Sequence, residues 1–352
     1  MRLSTALPIV FVNIRHYLLK IFGLEKKIVP YKILIELTNH CNSRCTHCDI
    51  WKIPYTQTTS ISAEQVANVL SSLNKNLYWI ALSGGEISLY KGLNELIELI
   101  RINCPNVRII TFTTNGLNPD RILEICNLIK SKLNAELFVT ISLDGDESVH
   151  DHIRGVTGNY KKAHKTYQLL QTHGHNTHFG FTVTPDNESF IEHDFEKEKS
   201  KIKAITFLHT DGIFLTSSSM IDQQKEKSIL MSLQTIYRKY SVRSFDEILM
   251  KIYIKIGIRF IKEKRKKNII PCDVGFSSLH IDSVGNVKPC MYLPAFNKEE
   301  VLFKIEDLYT DHAVNLKSDI RKGHCPNCWM NCYAPHNIMQ SPLKSVIEIL
   351  RP

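Results

Sequence analysis

Seven of the ten cysteines fall into two spaced groups. In ELTNHCNSRCTHCDIW, Cys41, Cys45 and Cys48 form a C-x3-C-x2-C loop. Three thiolates on one tight loop suit an iron–sulfur cluster with one iron left open, since structural zinc takes four ligands. A catalytic three-ligand zinc site has the same donor count, and spacing alone does not separate the two. The second group joins Cys272 and Cys290 to the C-x2-C pair Cys325 and Cys328. SLHIDSVGNVKP reads as a hairpin with its turn at Asp282–Gly285, which brings Cys272 and Cys290 together. Four thiolates then close a site that suits a zinc ribbon as well as a cluster. A redox C-x2-C lacks support, because Pro326 and Asn327 lie outside any strand–helix context. Cys104 and Cys126 sit in or beside helical stretches and read as structural. Cys332 reads by default as a buried thiol, with an alternative ligand or a hydrogen-atom donor as the other readings.

The rest of the chain must position these groups. With 352 residues and 43% hydrophobic content, it can bury a sizeable core, which excludes global disorder. A secreted disulfide framework belongs to short exported chains, and no small-residue cleavage site follows Ala6–Val12. The expected location is therefore cytoplasmic. No apolar run reaches the roughly 18–20 residues that span a bilayer. PIVFVNIRHYLLKIFGLEKK (8–27) mixes apolar and basic residues and reads as a peripheral membrane contact or as a helix docked on the protein's own core. The net charge of +9 is partly placed there and partly in KEKRKK (262–267). That second run reads as a solvated helix face, with no interleaved aromatic platform for nucleic acid.

From Lys32 the pattern alternates strands with helices. Strands are expected at 32–37, 77–83, 107–114, 135–144, 177–184 and 204–210. Helices are expected at 61–73, 92–102, 119–133 and 160–174, with another after Asn187. This spacing makes an α/β fold with a parallel sheet and right-handed crossovers. Six units are too few for an eight-fold barrel, so a partial barrel or an open doubly wound sheet follows. Residues 222–268 read as mostly helical. The expected organisation is an extension at 1–29, a core at 30–215, a helical connector at 216–270 and a small cysteine-rich domain at 271–352.

The loop at the end of the first strand resembles that of the radical S-adenosylmethionine (AdoMet) superfamily. SGGE (83–86), TTNG (113–116) and SLDG (142–145) follow at successive strand ends, and HDHIRG (150–155) follows those. The resemblance covers about residues 30–210 and implies a partial (β/α)6 barrel. It implies that Cys41, Cys45 and Cys48 hold a 4Fe–4S cluster whose open iron chelates AdoMet. His47 would pack near adenine, and Gly84 and Gly85 would let the backbone approach the ligand. Glu86 would accept from the amino group, Ser142 or Asp144 would contact the ribose, and Arg154 the carboxylate. Asn115 would touch either ligand. Reductive cleavage of AdoMet would give a 5′-deoxyadenosyl radical that abstracts hydrogen from substrate.

The second cysteine group resembles the auxiliary-cluster domains of this superfamily, called SPASM when complete and twitch when shortened. Gly285 lies 13 after Cys272 and Cys290 lies 5 after Gly285. With only Cys332 beyond the C-x2-C pair, the twitch form of the aminocyclitol dehydrogenase type fits, with one auxiliary 4Fe–4S cluster on Cys272, Cys290, Cys325 and Cys328. Such a cluster can take an electron from a substrate radical. The expected reaction is therefore dehydrogenation of a sugar, cyclitol or glycan. The alternative is peptide modification by thioether formation, C–C crosslinking or epimerisation, with Cys332 the thiol to test as donor. A flavodoxin or ferredoxin would supply electrons. A non-catalytic zinc or iron–sulfur scaffold would require the strand-end motifs to be coincidental. Substrate residues are expected at the ends of the fifth and sixth strands, in the 211–221 loop and in the second domain.

Overall fold

A computed structural model describes residues 2–54, 59–208, 222–241, 244–263, 269–296, 302–325 and 328–350. The expected boundary at 215/216, the 211–221 loop and most of the basic run at 262–267 lie outside them.

The core alternates strand and helix: β1 (Lys32–Glu36), α2 (Ala63–Leu73), β2 (Trp79–Ser83), α3 (Leu93–Asn103), β3 (Ile109–Thr114), α4 (Pro119–Lys132) and β4 (Glu136–Ser142). Then come α5 (Glu147–Arg154), α6 (Asn159–Thr172), β5 (Asn176–Val183), α7 (Glu188–His193), α8 (Phe195–Glu198) and β6 (Ile202–Phe207). Before β1 lies α1 (Leu3–Ile21). After β6 come α9 (Gln223–Lys239), α10 (Phe245–Lys262), β7 (Ser278–Ile281), β8 (Val287–Lys288), α11 (Asp311–Lys322), α12 (Ala334–Gln340) and α13 (Pro342–Leu350).

Local chemistry starts α2 and α4 where expected. Ser62 and Gln65 form a capping box at α2, with Ser62 Oγ accepting from Gln65 N at 3.1 Å and Gln65 Oε1 accepting from Ser62 N at 2.9 Å. Asn118 caps α4 with Pro119 at its first position, and Asp146 caps α5.

The strand order is β6-β5-β4-β3-β2-β1-β7-β8, and β1 to β6 run parallel. Sequential order is decisive between the two expected architectures. Crossovers of one hand that always step the same way put every helix on one face, whereas a doubly wound sheet reverses direction once. The sheet is therefore a partial barrel. Alternation along each strand divides it: Ile80 and Leu82 of β2, and Val139 and Ile141 of β4, pack into the main core. The residues between them, Ala81 and Ser83 or Thr140 and Ser142, face the other side.

The cysteine-rich region does not form a sheet of its own. β7 adds to the free edge of β1 in parallel register, Lys32 opposite Ser278 through Ile35 opposite Ile281. β8 returns antiparallel after the Asp282–Gly285 turn.

Candidate functional site

The three-cysteine loop leaves the carboxyl end of β1 and is held from three sides. The SGGE turn donates to it: Gly85 N to Thr38 O at 2.6 Å and Glu86 N to His40 O at 2.9 Å. A Cβ on Gly84 would lie 2.4 Å from Thr38 O, and one on Gly85 2.2 Å from His40 O; Gly84 also has φ +120°. Both glycines line the cavity, and within the protein they permit a close approach to the cysteine loop. From a second side, Arg44 N and Thr46 N donate to Arg154 O and Ile153 O, each at 2.9 Å. From the third, Asn115 Nδ2 donates to Asn42 Oδ1 at 2.7 Å and to Ser43 Oγ at 2.9 Å. Asn115 is thus a tether for the loop.

These elements enclose a cavity of about 310 Å³ at the carboxyl ends of the strands. Cys41, Cys45, Cys48 and His47 line one wall; Gly84, Gly85, Glu86, Asn115, Ser142 and Arg154 line others. Asp144 is not on this wall. It is fully buried, accepts from Arg154 Nε at 2.6 Å and from Thr182 N at 2.9 Å, and its own N–H donates to His150 Nδ1 at 3.0 Å. Burial would raise its pKa, but Arg154, with His47 and His150, holds it below the usual carboxylate range. Within the protein, Asp144 orients Arg154. Arg154 in turn places Nη1 3.7 Å from Cys45 Sγ.

Glu86 is buried, and burial raises its carboxyl pKa. Oε1 accepts from Thr114 Oγ1 at 2.7 Å and Ser88 N at 3.2 Å, and Oε2 from Asn115 N at 2.8 Å. Three of a carboxylate's four acceptor positions are filled, leaving one on Oε2. His47 Nδ1 is buried with no hydrogen-bond partner. Burial first, and then Arg154, lowers its pKa to about 4, so the ring is neutral. Burial pushes the Cys41 and Cys48 thiols up to about 11 and about 12. They become thiolates only against a strong local cation, which a bound metal supplies. Three sulfur donors on one loop, an orphaned imidazole nitrogen and a spare carboxylate position fit a cluster with AdoMet beside it.

Cys272, Cys290, Cys325 and Cys328 line a second cavity of about 60 Å³, walled by Phe260, Ile320 and Tyr333 among others. Burial again raises Cys272 to about 11 and Cys290 to about 12. Asn337 Nδ2 lies 3.6 Å from Cys272 Sγ. The donors that line this cavity include, among the described residues, four sulfurs and no carboxylate. Among the described residues, no three Cys, His, Asp or Glu side chains converge on a single-ion site. A tetrahedral zinc would hold its sulfurs about 3.8 Å apart, given Zn–S of about 2.3 Å; a multi-iron cluster takes them farther apart.

Two residues that no motif singled out join the cavities. Tyr292 and Met330 line both, with Tyr292 Oη donating to Met330 Sδ at 3.0 Å. Cys332 lines the first cavity and not the four-cysteine one. Lys32 Nζ donates to its carbonyl at 2.9 Å. Thr140, Gly180, Thr182 and Thr206 of the inward strand faces add to the walls.

Comparison with known proteins agrees with this arrangement. The family model described as "Radical SAM superfamily" matches residues 35–197. The antilisterial bacteriocin subtilosin biosynthesis protein AlbA of Bacillus subtilis is 28% identical over 271 residues, 76% of this chain and 56% of that protein. The sporulation killing factor maturation protein SkfB of the same organism is 31% identical over 155 residues, 43% of this chain and 35% of that protein. The chain thus spans about half or less of the length of these curated relatives. The solved structure of anSMEcpe with bound AdoMet superposes with a TM-score of 0.59 at 17% identity, covering 82% of both chains, which is a likeness of fold.

Proposed function

We propose that this chain, whose residues 35–197 match the radical SAM family model, is an AdoMet-dependent enzyme that modifies a peptide. The observation that carries the proposal is the cavity that runs from the three-cysteine loop to Met330 and Cys332 of the cysteine-rich region. When bound, the cluster and AdoMet would supply one-electron cleavage and a radical able to take hydrogen from an unactivated carbon. The chain's own residues bind and orient. Cys41, Cys45 and Cys48 would hold the cluster, and the spare position on Glu86 Oε2 would accept from an amino N–H. Ser142 offers a hydroxyl and His47 a neutral ring on the wall. Arg154, fixed by Asp144, places positive charge beside Cys45. The second cavity would hold a fully protein-ligated cluster on Cys272, Cys290, Cys325 and Cys328. A flavodoxin- or ferredoxin-type donor would supply the electron.

The relatives are named for making a bacteriocin and for maturing a killing factor, and those names favour the peptide alternative over oxidation of a sugar, cyclitol or glycan. Cys332, facing the first cavity beside Met330, is the candidate hydrogen donor if the product is an epimer.

The test is to incubate the anaerobically reconstituted protein with AdoMet, a reductant and any short precursor peptide found encoded near its gene. Loss of two hydrogens marks a crosslink, and gain of one solvent deuterium marks an epimer. AdoMet cleavage with an unmodified peptide, together with oxidation of a glycoside, would reverse the choice of substrate. No AdoMet cleavage at all would reject the enzymatic reading.

A further inference from the structure

The amino-terminal helix is docked with its polar side inward. Thr5, Asn13, His16 and Lys20 of α1 face the protein. Asn13 Oδ1 accepts from Tyr31 Oη at 3.0 Å, and Lys20 pairs with Asp273 and donates to Gln340 Oε1 at 2.9 Å. His16 is fully buried, its ring 5.6 Å from that of Tyr31. The opposite side is apolar. Leu3, Leu7, Val10, Phe11, Ile14 and Leu18 are 46% to 73% exposed. At 3.6 residues per turn, these six side chains fall within an arc of about 100°. A surface helix normally buries such an arc against its own core. The helix is thus docked on the protein's own core, as one of the two readings expects, through Ile9 and Val12 beside Tyr31 and Ile109 as well as through these polar contacts, and the apolar stripe is left over. A contiguous stripe of this kind marks an interaction surface.

Charge identifies what the stripe meets. Residues 2–24 contain no Asp or Glu. Arg15 is exposed at the margin of the arc, and Lys26 and Lys27 are exposed just beyond the helix. Glu25, the first carboxylate in the chain, is paired with Arg321 at 3.2 Å, and Glu136 near the helix start is paired with Arg2 at 3.3 Å. An apolar arc edged by cations, with the neighbouring acids neutralised, matches the headgroup boundary of an anionic bilayer. No described helix is long and apolar enough to cross a membrane. We propose that α1 is a monotopic anchor lying in the interface of an anionic membrane, apolar arc down, and that it holds the enzyme at that surface.

The test is flotation of the reconstituted 352-residue protein with vesicles. Vesicles of mixed phosphatidylglycerol and phosphatidylcholine should carry about tenfold more protein than phosphatidylcholine alone, with the excess lost at high salt. The double substitution Phe11→Glu, Leu18→Glu should abolish flotation while iron content and circular dichroism stay unchanged. Protein that remains in the dense fraction with the anionic vesicles overturns the proposal, as does equal flotation of the double variant. So does a wild-type dimer that the double variant converts to monomer without any vesicle binding, which would assign the stripe to a second copy.

Discussion

The two sulfur-lined cavities follow opposite designs. The first presents the three thiols of one loop, with Cys332 on another wall, in about 310 Å³ together with Glu86, His47, Ser142 and Arg154. The second presents four thiols in about 60 Å³ among mostly apolar walls. One donor set is left incomplete and surrounded by groups with spare hydrogen-bonding capacity; the other is saturated and sealed. The scaffolds differ in the same sense. The first loop is tied at three sides by backbone and amide hydrogen bonds from strand ends. The second is assembled from a hairpin, a C-x2-C segment and packed helices. An open coordination position needs rigid support, because nothing bound holds it in shape before the ligand arrives.

Removing the thiols is the strongest test of this contrast. Cys41→Ala/Cys45→Ala/Cys48→Ala should lower iron by about half and eliminate 5′-deoxyadenosine formation, measured by chromatography. Cys272→Ala/Cys290→Ala should lower iron similarly, keep AdoMet cleavage without substrate, and stop substrate turnover. If both sets lost cleavage equally, the two cavities would not have separate roles.

Gly85→Ala comes next. A methyl 2.2 Å from the His40 carbonyl must displace backbone. AdoMet cleavage should fall roughly 100-fold, equal to about 2.7 kcal/mol of barrier. The auxiliary cluster's electron paramagnetic resonance signal should be retained, since only the first scaffold is altered.

Asn115→Ala removes two hydrogen bonds to the cysteine loop and should be milder. Leaving partly buried groups unpaired costs about 1–2 kcal/mol, so AdoMet affinity by calorimetry should drop about tenfold. Unchanged affinity would mean that the loop keeps its shape without the tether.

Asn337→Leu should have the smallest effect on cleavage. Removing the amide 3.6 Å from Cys272 should change only the auxiliary cluster's spectrum, with AdoMet cleavage within about twofold. A larger loss would show that the cavities are coupled, through Tyr292 and Met330 as the shared wall.

Much of this was legible in the sequence, for a physical reason. Cys41, Cys45 and Cys48 lie within one turn of loop, and each strand-end motif follows a short apolar run whose period reveals the strand. Local spacing reports local geometry. Asp144 shows where this stops: SLDG marks the right strand end, but Arg154 turns the carboxylate away from the cavity. Gly85 was recognised as requiring space, yet what occupies that space is His40, 45 residues earlier. Tyr292 and Met330 carry no motif and join the site only because β7 brings the cysteine-rich region against β1. The inward-facing polar side of α1 depends on Asp273 and Gln340, at the other end of the chain. No period in residues 3–21 could reveal them.

The pairing of β7 with β1 also sets a timetable. Residues 32–36 are made early, but their second neighbour in the sheet arrives only with residues 278–281. At about 5–20 residues per second, that interval lasts on the order of ten seconds or more. Until then, one edge of the parallel sheet is bare, next to three unliganded thiols. Open edges of this kind recruit other strands. Contacts of such long range also form slowly, because loop closure precedes their reward. The edge at β1 is therefore covered only once residues 278–281 are made. A chain stopped before residue 278 would be left with an unsealed edge, so the first cavity and the cysteine-rich region are acquired in one folding event.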